Sequence, residues 1–169
     1  MTLTVEPAAE RDVTGIAALI GEIAHHYGGA DPGPDRHVSR VKELIFGERP
    51  DAHVLLARDA DRLVGLAAFS FLWPAAGSTR SLYLKELYVR AADRRRGVGR
   101  LLMARVFEIA AASGCSRVEW TTERDNQDAR RFYQRLGVPA RPDKIFYRAD
   151  AEIFTATSQR LREGPPSTA

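Results

Sequence analysis

Residues 82–99 read LYLKELYVRAADRRRGVG, a run that passes from a strand through a turn into a helix. The first half is apolar and rich in β-forming residues, the middle is basic, and two glycines follow. Beyond them, apolar residues recur at helical spacing: Val98, Leu101, Leu102, Val106 and Ile109. Main-chain N–H groups at such a helix start point outward, and the helix dipole favours negative charge there. The run therefore predicts a pyrophosphate-binding turn.

Glycine suits this turn because a Cβ at Gly97 or Gly99 would block the approach of a ligand to the backbone. Nearby arginines add positive charge suited to phosphate: Arg94, Arg95, Arg96 and Arg100. An arginine cluster alone is more often a solvated surface. The turn has neither the Gly-Lys-Ser/Thr of a P-loop nor the third glycine of a dinucleotide fold.

Two motifs carry a resemblance to a known family. Residues 94–99 (RRRGVG) resemble the Arg/Gln-x-x-Gly-x-Gly/Ala signature of the GNAT superfamily of acyl-CoA-dependent N-acetyltransferases, and residues 126–138 (NQDARRFYQRLGV) resemble the helix that packs on the pantetheine arm. The resemblance implies an α/β (α+β) fold, in which a mixed, mostly antiparallel sheet splays between strands 4 and 5 and carries helices on both faces. It also implies that acetyl-CoA lies in the opening.

The same resemblance implies where acetyl-CoA is held. Amides of residues 95–100, Val98 among them, bind the pyrophosphate beside Arg94. The main chain of three strand residues pairs with the pantetheine amides and holds the thioester carbonyl: Leu87, Tyr88 and Val89. The matched helix adds contacts from Asn126, Ala129 and Phe132. For Asn126, helix capping is the alternative role.

Catalysis needs an acid and a base. Tyr133 carries over as the general acid that protonates the departing thiolate, although on its residues alone the apolar stripe favours a core position. A base is needed because an alkylammonium, with a pKa near 10.4, is not a nucleophile. Glu86, which strand alternation places on the face of Leu84 and Tyr88, is the first candidate, and Glu123 is the second. Direct attack in a ternary complex is favoured over a ping-pong route.

The resemblance implies an acceptor pocket at the end of the first helix, which the following loop covers in GNAT proteins, and the candidate substrate-binding residues are Glu22, His26, Tyr27 and Trp73. No metal is expected, because adjacent histidines on a helix point in different directions and no Cys/His/Asp cluster completes a site. Cys115 is interpreted as an inert thiol.

From about residue 3 to 154 the chain resembles the spermidine/spermine and diamine (thialysine) acetyltransferases, which implies small primary amines as acceptors and a homodimer. One departure is Lys85, which replaces the first acid of an acidic pair usual in that branch. If Lys85 faces the acceptor pocket, its positive charge repels polyamines and makes them poor substrates. A mono-amine or a carboxylated amine such as an amino acid is then the favoured acceptor. Alternation places Lys85 opposite Glu86, which favours the outward direction.

Other functions stay open. The same chemistry could serve an aminoglycoside-type antibiotic, an amino acid or a protein amine, because fold does not fix the acceptor. A non-catalytic CoA-binding regulatory module and nucleic-acid binding through the arginines are the remaining classes. Aromatic residues are not interleaved with the arginines, which argues against nucleic acid.

Chain organisation follows from hydrophobic periodicity. The predicted order is β-α-α-β-β-β-α-β-α-β, with one acetyltransferase domain over residues 1–154, a strand at 116–123, a last strand at 144–154 and a flexible tail at 155–169. The chain has 169 residues, a net charge of +3 and one cysteine, so no internal disulfide can form. The absence of a membrane-spanning run or a signal pattern predicts a cytoplasmic protein without membrane association.

Overall fold

The computed structural model describes residues 2–29 and 32–163. The strands are β1 (Leu3–Pro7), β2 (His53–Asp59), β3 (Arg62–Leu72), β4 (Arg80–Val89) and β5 (Cys115–Glu119). The helices are α1 (Val13–His26), α2 (Pro34–Phe46), α3 (Val98–Ala112), α4 (Gln127–Arg135) and α5 (Ala151–Glu163). The chain divides into two compact units between residues 126 and 127, so the first holds all five strands with α1–α3 and the second holds α4 and α5.

The five strands form one sheet in sequence order. β1, β2, β3 and β4 pair antiparallel in succession, whereas β4 pairs with β5 in parallel. The β4–β5 pairing runs only from Arg80 to Tyr83. Beyond Tyr83 the remaining half of β4 pairs, among the residues that the structure describes, with β3 and not with β5, which confirms the predicted mixed sheet that opens between its fourth and fifth strands.

Helices cover both faces of the sheet, as predicted. α1 and α2 pack together over one face, where Val54, Leu56 and Leu66 are buried beneath them. α3 contacts all five strands. Leu55 and Leu56 are both fully buried although neighbours on a strand point to opposite faces, so each face of β2 carries its own core.

The register between β3 and β4 contains a β-bulge. Ala68 pairs with Glu86 while Phe69 pairs with Leu84, which leaves Lys85 as the additional residue of β4. Paired residues share a face and Ala68 packs against the core under α1 and α2, so Glu86 lies on that face and Leu84 on the other. The prediction that Glu86 and Leu84 share a face is wrong, because simple alternation ignores the bulge.

The predicted last strand at 144–154 is not formed. Residues 144–150 have no regular secondary structure, and α5 occupies the residues that follow. The helical bonding pattern prevails from Asp150 onward, where the Phe154 N–H donates to the Asp150 carbonyl at 3.0 Å. Residues 155–163, predicted as part of a flexible tail, belong to this helix, and residues 164–169 lie outside the described residues.

The strand predicted at 116–123 is β5, and it ends at Glu119 instead. Its last described pair joins Glu119 to Tyr83, the point at which β4 diverges, so further residues have no ladder to join. Among the described residues, no helix is both long and apolar enough to cross a membrane.

Candidate active site

The turn between β4 and α3 has the backbone geometry of an anion site. Gly97 precedes α3 with a left-handed φ of 84°, and a Cβ built on it would meet nothing within 4 Å. The first bond of the helix joins the Leu101 N–H to the Gly97 carbonyl at 3.1 Å. Amides 98–100 therefore have no acceptor within the helix, and they lie at the positive end of its dipole. The open space beside Gly97 is suited to a phosphate group.

The arginines of this turn are not equivalent. Arg96 donates to Asp59 at 2.7 Å and also to Asp93, so two carboxylates hold its side chain. The Arg94 Nε donates to the Val89 carbonyl at 3.1 Å. Arg95 and Arg100 are exposed, and Arg95 adopts a left-handed φ of 60°. Of the four arginines predicted to face phosphate, Arg96 is instead engaged within the protein.

The second half of β4 presents a strand edge towards the opening. Leu87, Tyr88 and Val89 pair with residues 65–67 of β3 on one side, while β5 ends before reaching them on the other. Gly65 permits this pairing, because a Cβ there would lie 2.5 Å from the Tyr88 carbonyl oxygen. A strand edge of this kind can pair with the amides of an extended ligand.

Glu86 is a half-buried carboxyl on this stretch of β4. Burial raises its pKa, while the charge of Lys85 and a bond from the Leu87 N–H oppose the shift. Within the described part of the chain, no arginine or lysine nitrogen lies within 4 Å of its carboxylate. A carboxylate with a raised pKa and no ion-pair partner is a stronger proton acceptor than an ordinary exposed carboxylate.

Tyr27, the residue that follows α1, lies within electrostatic range of both predicted bases, Glu86 and Glu123. The pKa of the Tyr27 phenol is raised by burial and then by the negative charges of Glu86 and Glu123. The structure therefore brings these three predicted residues into one electrostatic neighbourhood. Glu123 lies in the segment after β5 and is exposed.

Glu22 joins α1 to β4 through hydrogen bonds, a structural role that was not predicted from the sequence. Its carboxylate accepts from the Tyr88 hydroxyl at 3.1 Å and from Arg90 Nη2 at 2.7 Å. Arg90 Nη1 in turn donates to the Leu63 carbonyl at 2.8 Å. These bonds fasten α1 to the end of β4, so Glu22 is already engaged on the side where an acceptor pocket is predicted.

Two other predicted acceptor residues lie at the surface. His26 stands against Tyr27, with ring centroids 5.3 Å apart. Trp73 is 74% exposed, and its indole N–H donates to the Ser78 carbonyl at 3.2 Å. It follows β3, five residues beyond the partner of Glu86, which is about 17 Å along a strand. Trp73 is therefore not brought beside Glu86.

Of the remaining predicted contacts, Asn126 is the last residue of the first unit, and the others lie on α4 in the second. α4 lies within the predicted helix and ends at Arg135, and Gly137 two residues beyond it has a left-handed φ of 77°. Asn126 immediately precedes α4, as a capping residue would. Ala129, Phe132 and Tyr133 are half-buried, and the rings of Phe132 and Tyr133 are 5.2 Å apart.

A four-residue ion cluster beside the turn was missed by sequence reasoning. Asp93 accepts two bonds from Arg62, at 2.7 and 2.8 Å, and a third from Arg96, which also binds Asp59. An acid inside an arginine run was the available signal. Across residues 2–29 and 32–163, no group of three or more His, Cys, Asp or Glu is placed to hold a metal ion.

The chain matches the acetyltransferase (GNAT) family over residues 21–138. It is 26% identical over 149 residues to thialysine N-epsilon-acetyltransferase of Sus scrofa, covering 81% of this chain and 84% of that protein. It is 27% identical over 119 residues to aminoglycoside N(6')-acetyltransferase type 1 of Serratia marcescens, covering 68% and 80%. An integron cassette protein from the mobile metagenome of V. cholerae shares the fold, with a TM-score of 0.86 at 23% identity over 95% of this chain and 99% of that chain.

Three observations indicate the same class of protein: the sheet that opens between β4 and β5, the start of α3 after Gly97, and the family match over residues 21–138. The chain belongs to the acetyltransferase (GNAT) family and is an N-acetyltransferase. The resemblance to the family drawn from residues 94–99 and 126–138 is thereby confirmed.

Proposed function

We propose that this protein transfers the acetyl group of acetyl-CoA to the primary amine of a small molecule, with a polyamine or diamine as the favoured acceptor. The observation that carries the proposal is the free edge of β4 beyond Tyr83, which leads directly into the Gly97 turn and the amino end of α3. A donor-rich helix start next to an unpaired strand edge fits a ligand that joins a pyrophosphate to an extended amide-bearing arm.

Acetyl-CoA supplies an activated thioester when bound. The residues that would hold it are the amides of 98–100 for the pyrophosphate, the main chain of residues 87–89 for the pantetheine amides, and Asn126, Ala129 and Phe132 from the second matched motif. Arg95 and Arg100 are exposed and add positive charge near the turn. No metal enters this proposal.

Proton transfer is assigned to two side chains. Glu86 accepts the proton of the incoming ammonium, directly or through water, and its raised pKa matches that task better than an ordinary exposed carboxylate would. Glu123 is the second candidate. Tyr133 donates a proton to the sulfur that leaves, since a phenol is protonated at neutral pH. We propose direct attack within a ternary complex, because holding both reactants together supplies a large part of the rate.

The preference for a cationic acceptor rests on charge. Glu86 and Glu123 both act on Tyr27, so the region at the end of α1 is negative and attracts an ammonium group. Lys85 lies in the bulge next to Glu86 and weakens this field. Both the thialysine and the aminoglycoside relatives are named for amine acceptors.

Two other acceptor classes and one non-catalytic function are retained. The similarity to an aminoglycoside acetyltransferase favours a test of aminoglycoside-type antibiotics, and the positive charge of Lys85 favours a test of amino acids. Protein amines belong to the same panel. A CoA-binding regulatory module would bind acetyl-CoA without turnover.

The deciding experiment combines calorimetry with a thiol-release assay. We expect the purified chain to bind acetyl-CoA and to release CoA thiol with diamines and polyamines faster than with kanamycin, lysine or a peptide amine. Gly97→Val should abolish binding, since its φ of 84° disfavours a β-branched residue and the side chain would fill the open space. No heat with acetyl-CoA contradicts the proposal, and binding without thiol release for any amine favours the regulatory module.

The resemblance also supports a homodimer in the cytoplasm and an acetyltransferase domain over residues 1–154. That expected boundary falls within α5. Light scattering after gel filtration tests the dimer, with a mass near 37 kDa expected for two chains of 18.7 kDa.

A further inference from the structure

We propose that Asp93 is a positioning residue that holds the phosphate-binding turn in shape through Arg96 and Arg62. The inference rests on the proposed use of acetyl-CoA. It goes beyond that proposal because it assigns Arg96 to holding the turn in shape, whereas Arg95 and Arg100 are exposed and would contact the ligand.

Asp93 is a buried carboxylate with three donors. It is only 1% exposed, and both of its oxygens are bonded to arginine. Its pKa is lowered, first by the bond from Arg62, so it is charged throughout the neutral range. Its own N–H donates to the Arg90 carbonyl at 2.8 Å, which sets it at the end of a short 3₁₀ turn directly before the arginine run.

The cluster joins the turn to a rigid part of the sheet. Asp59 ends β2 and Arg62 begins β3, so these two residues flank the hairpin between those strands. Arg96 reaches Asp59 at 2.7 Å and Asp93 at the same time. The loop that precedes α3 is thereby tied to a paired hairpin by charge-assisted bonds, which are stronger than neutral ones.

A strained residue lies between the two tethered arginines. Arg95 has a φ of 60°, and Arg94 and Arg96 on either side of it are bonded to the Val89 carbonyl and to the acids. A side-chain-bearing residue stays in a left-handed conformation only when its surroundings hold it there. The Asp93 cluster supplies one of the two restraints.

A purely electrostatic role and a positioning role for Asp93 predict opposite effects of Asp93→Asn on the binding of an anion. The cluster contains two acids and two arginines and is neutral, so removing the charge of Asp93 leaves a net positive cluster next to the turn. If the cluster acted only through its field, Asp93→Asn would tighten the binding of an anion. If it acts by holding the turn, the same change weakens binding although positive charge is gained.

The chain contains a matched control. Asp12 is 7% exposed, accepts from Arg58 Nη2 at 2.6 Å and from the Ala9 N–H at 3.0 Å, and lies at the start of α1. Arg58 also binds Glu6 at 2.8 Å. Asp12→Asn therefore perturbs a comparable buried acid–arginine cluster that has no bond to the turn.

The experiment compares Asp93→Asn with Asp12→Asn in the full chain. We expect Asp93→Asn to raise the acetyl-CoA KM about tenfold, with kcat and the amine KM within about twofold, because the turn would grip the pyrophosphate equally in the ground and transition states and takes no part in the reacting bonds. Hydrogen exchange of amides 94–100 should quicken in the same variant without any ligand. Asp12→Asn should change melting temperature and neither of these readouts.

Arg62→Gln serves if Asp93→Asn does not fold, since Arg62 is half exposed and Arg96 would still pair with the acid. It should reproduce the KM and exchange effects at smaller size. Unchanged or tighter acetyl-CoA binding with unchanged exchange in 94–100 overturns the inference, as does an equal effect of Asp12→Asn. If the wild-type chain binds no acetyl-CoA, the proposed function fails, and the exchange comparison still decides whether Asp93 holds the turn.

Discussion

Glu86 in the middle of β4 and Asp93 in the turn before α3 are both shielded from water, but the pKa values of these two carboxyls shift in opposite directions. Burial raises the pKa of Glu86, whereas bonds from Arg62 lower the pKa of Asp93. The difference lies in the partners, because within residues 2–29 and 32–163 Asp93 receives three arginine bonds, whereas Glu86 receives one bond from a backbone N–H. A buried acid that is fully paired is a structural element, while one left without a cation is available for proton transfer.

Replacing Glu86 gives the largest expected effect. Glu86→Gln should lower kcat by about 10²–10⁴-fold, the usual range for loss of a general base. Folding stability at neutral pH should stay equal or rise, because a desolvated charge is removed. Steady-state kinetics and urea unfolding measure the two quantities.

The control for this prediction is Glu119→Gln, which changes an exposed acid on β5 that is paired with Arg117 at 2.8 Å. It should leave kcat unchanged. Full turnover in Glu86→Gln would remove Glu86 from the role of base, and a loss in Glu123→Gln would then transfer that role to Glu123.

Tyr133→Phe sharpens the comparison by testing the acid that should work with Glu86. We expect kcat to fall by about 10²-fold with acetyl-CoA affinity nearly intact, since only the proton donor is lost. Tyr147→Phe, at a residue that is 84% exposed, is the control. Undiminished turnover in Tyr133→Phe would leave Tyr133 as a packing residue of α4.

The folding stability of Asp93→Asn tests whether the arginine bonds of Asp93 stabilise the chain. Unfolding free energy at pH 7 should fall by about 1.5–3 kcal/mol, the usual contribution of bonds to charged groups. Denaturant titration of both proteins measures it. Equal stability at pH 7 would show that the arginine bonds contribute nothing net.

The pH dependence of these two effects has opposite signs. Asp93 has a lowered pKa, so its contribution is present above the unfolded value of 3.8 and is lost as pH falls through the folded pKa. Glu86 has a raised pKa, so its contribution is present below the unfolded value of 4.5 and is lost as pH rises through the folded pKa. The stability gap between wild type and Asp93→Asn should close at low pH.

The smallest expected effect is at Arg95. Arg95→Gly should stabilise the chain by about 0.5–1 kcal/mol, because glycine adopts the φ of 60° without a Cβ clash while its greater unfolded-state freedom offsets part of the gain. Thermal unfolding measures the difference. A loss of stability would mean that the Arg95 side chain makes a contact worth more than the relieved strain.

Much of the fold could be predicted from local patterns. The hairpin of β2 and β3, the helices α1 to α4 and the turn at Gly97 all follow from periodicity and glycine placement. The failures are residues whose conformation depends on distant partners. β5 stops where β4 diverges from it, and residues 144–150 form no strand despite their β-forming side chains.

The candidate site shows the same division. The glycines and arginines of the turn were visible in the sequence, and so was Glu86. Pairing between β3 and β4 decided that Glu86 and Leu84 face opposite sides, because a bulge at Lys85 interrupts alternation. Asp93 stood out as an acid within an arginine run, but its partners could not be predicted, because Asp59 and Arg62 are distant in sequence from the turn they restrain.

The sequence by itself determined the class of protein, since the need for a left-handed glycine and unpaired amides at a helix start constrains residue types locally. The tertiary structure decided which carboxyl is charged and braced and which is desolvated and available. That choice depends on through-space distances between charges, and local sequence patterns do not encode such distances.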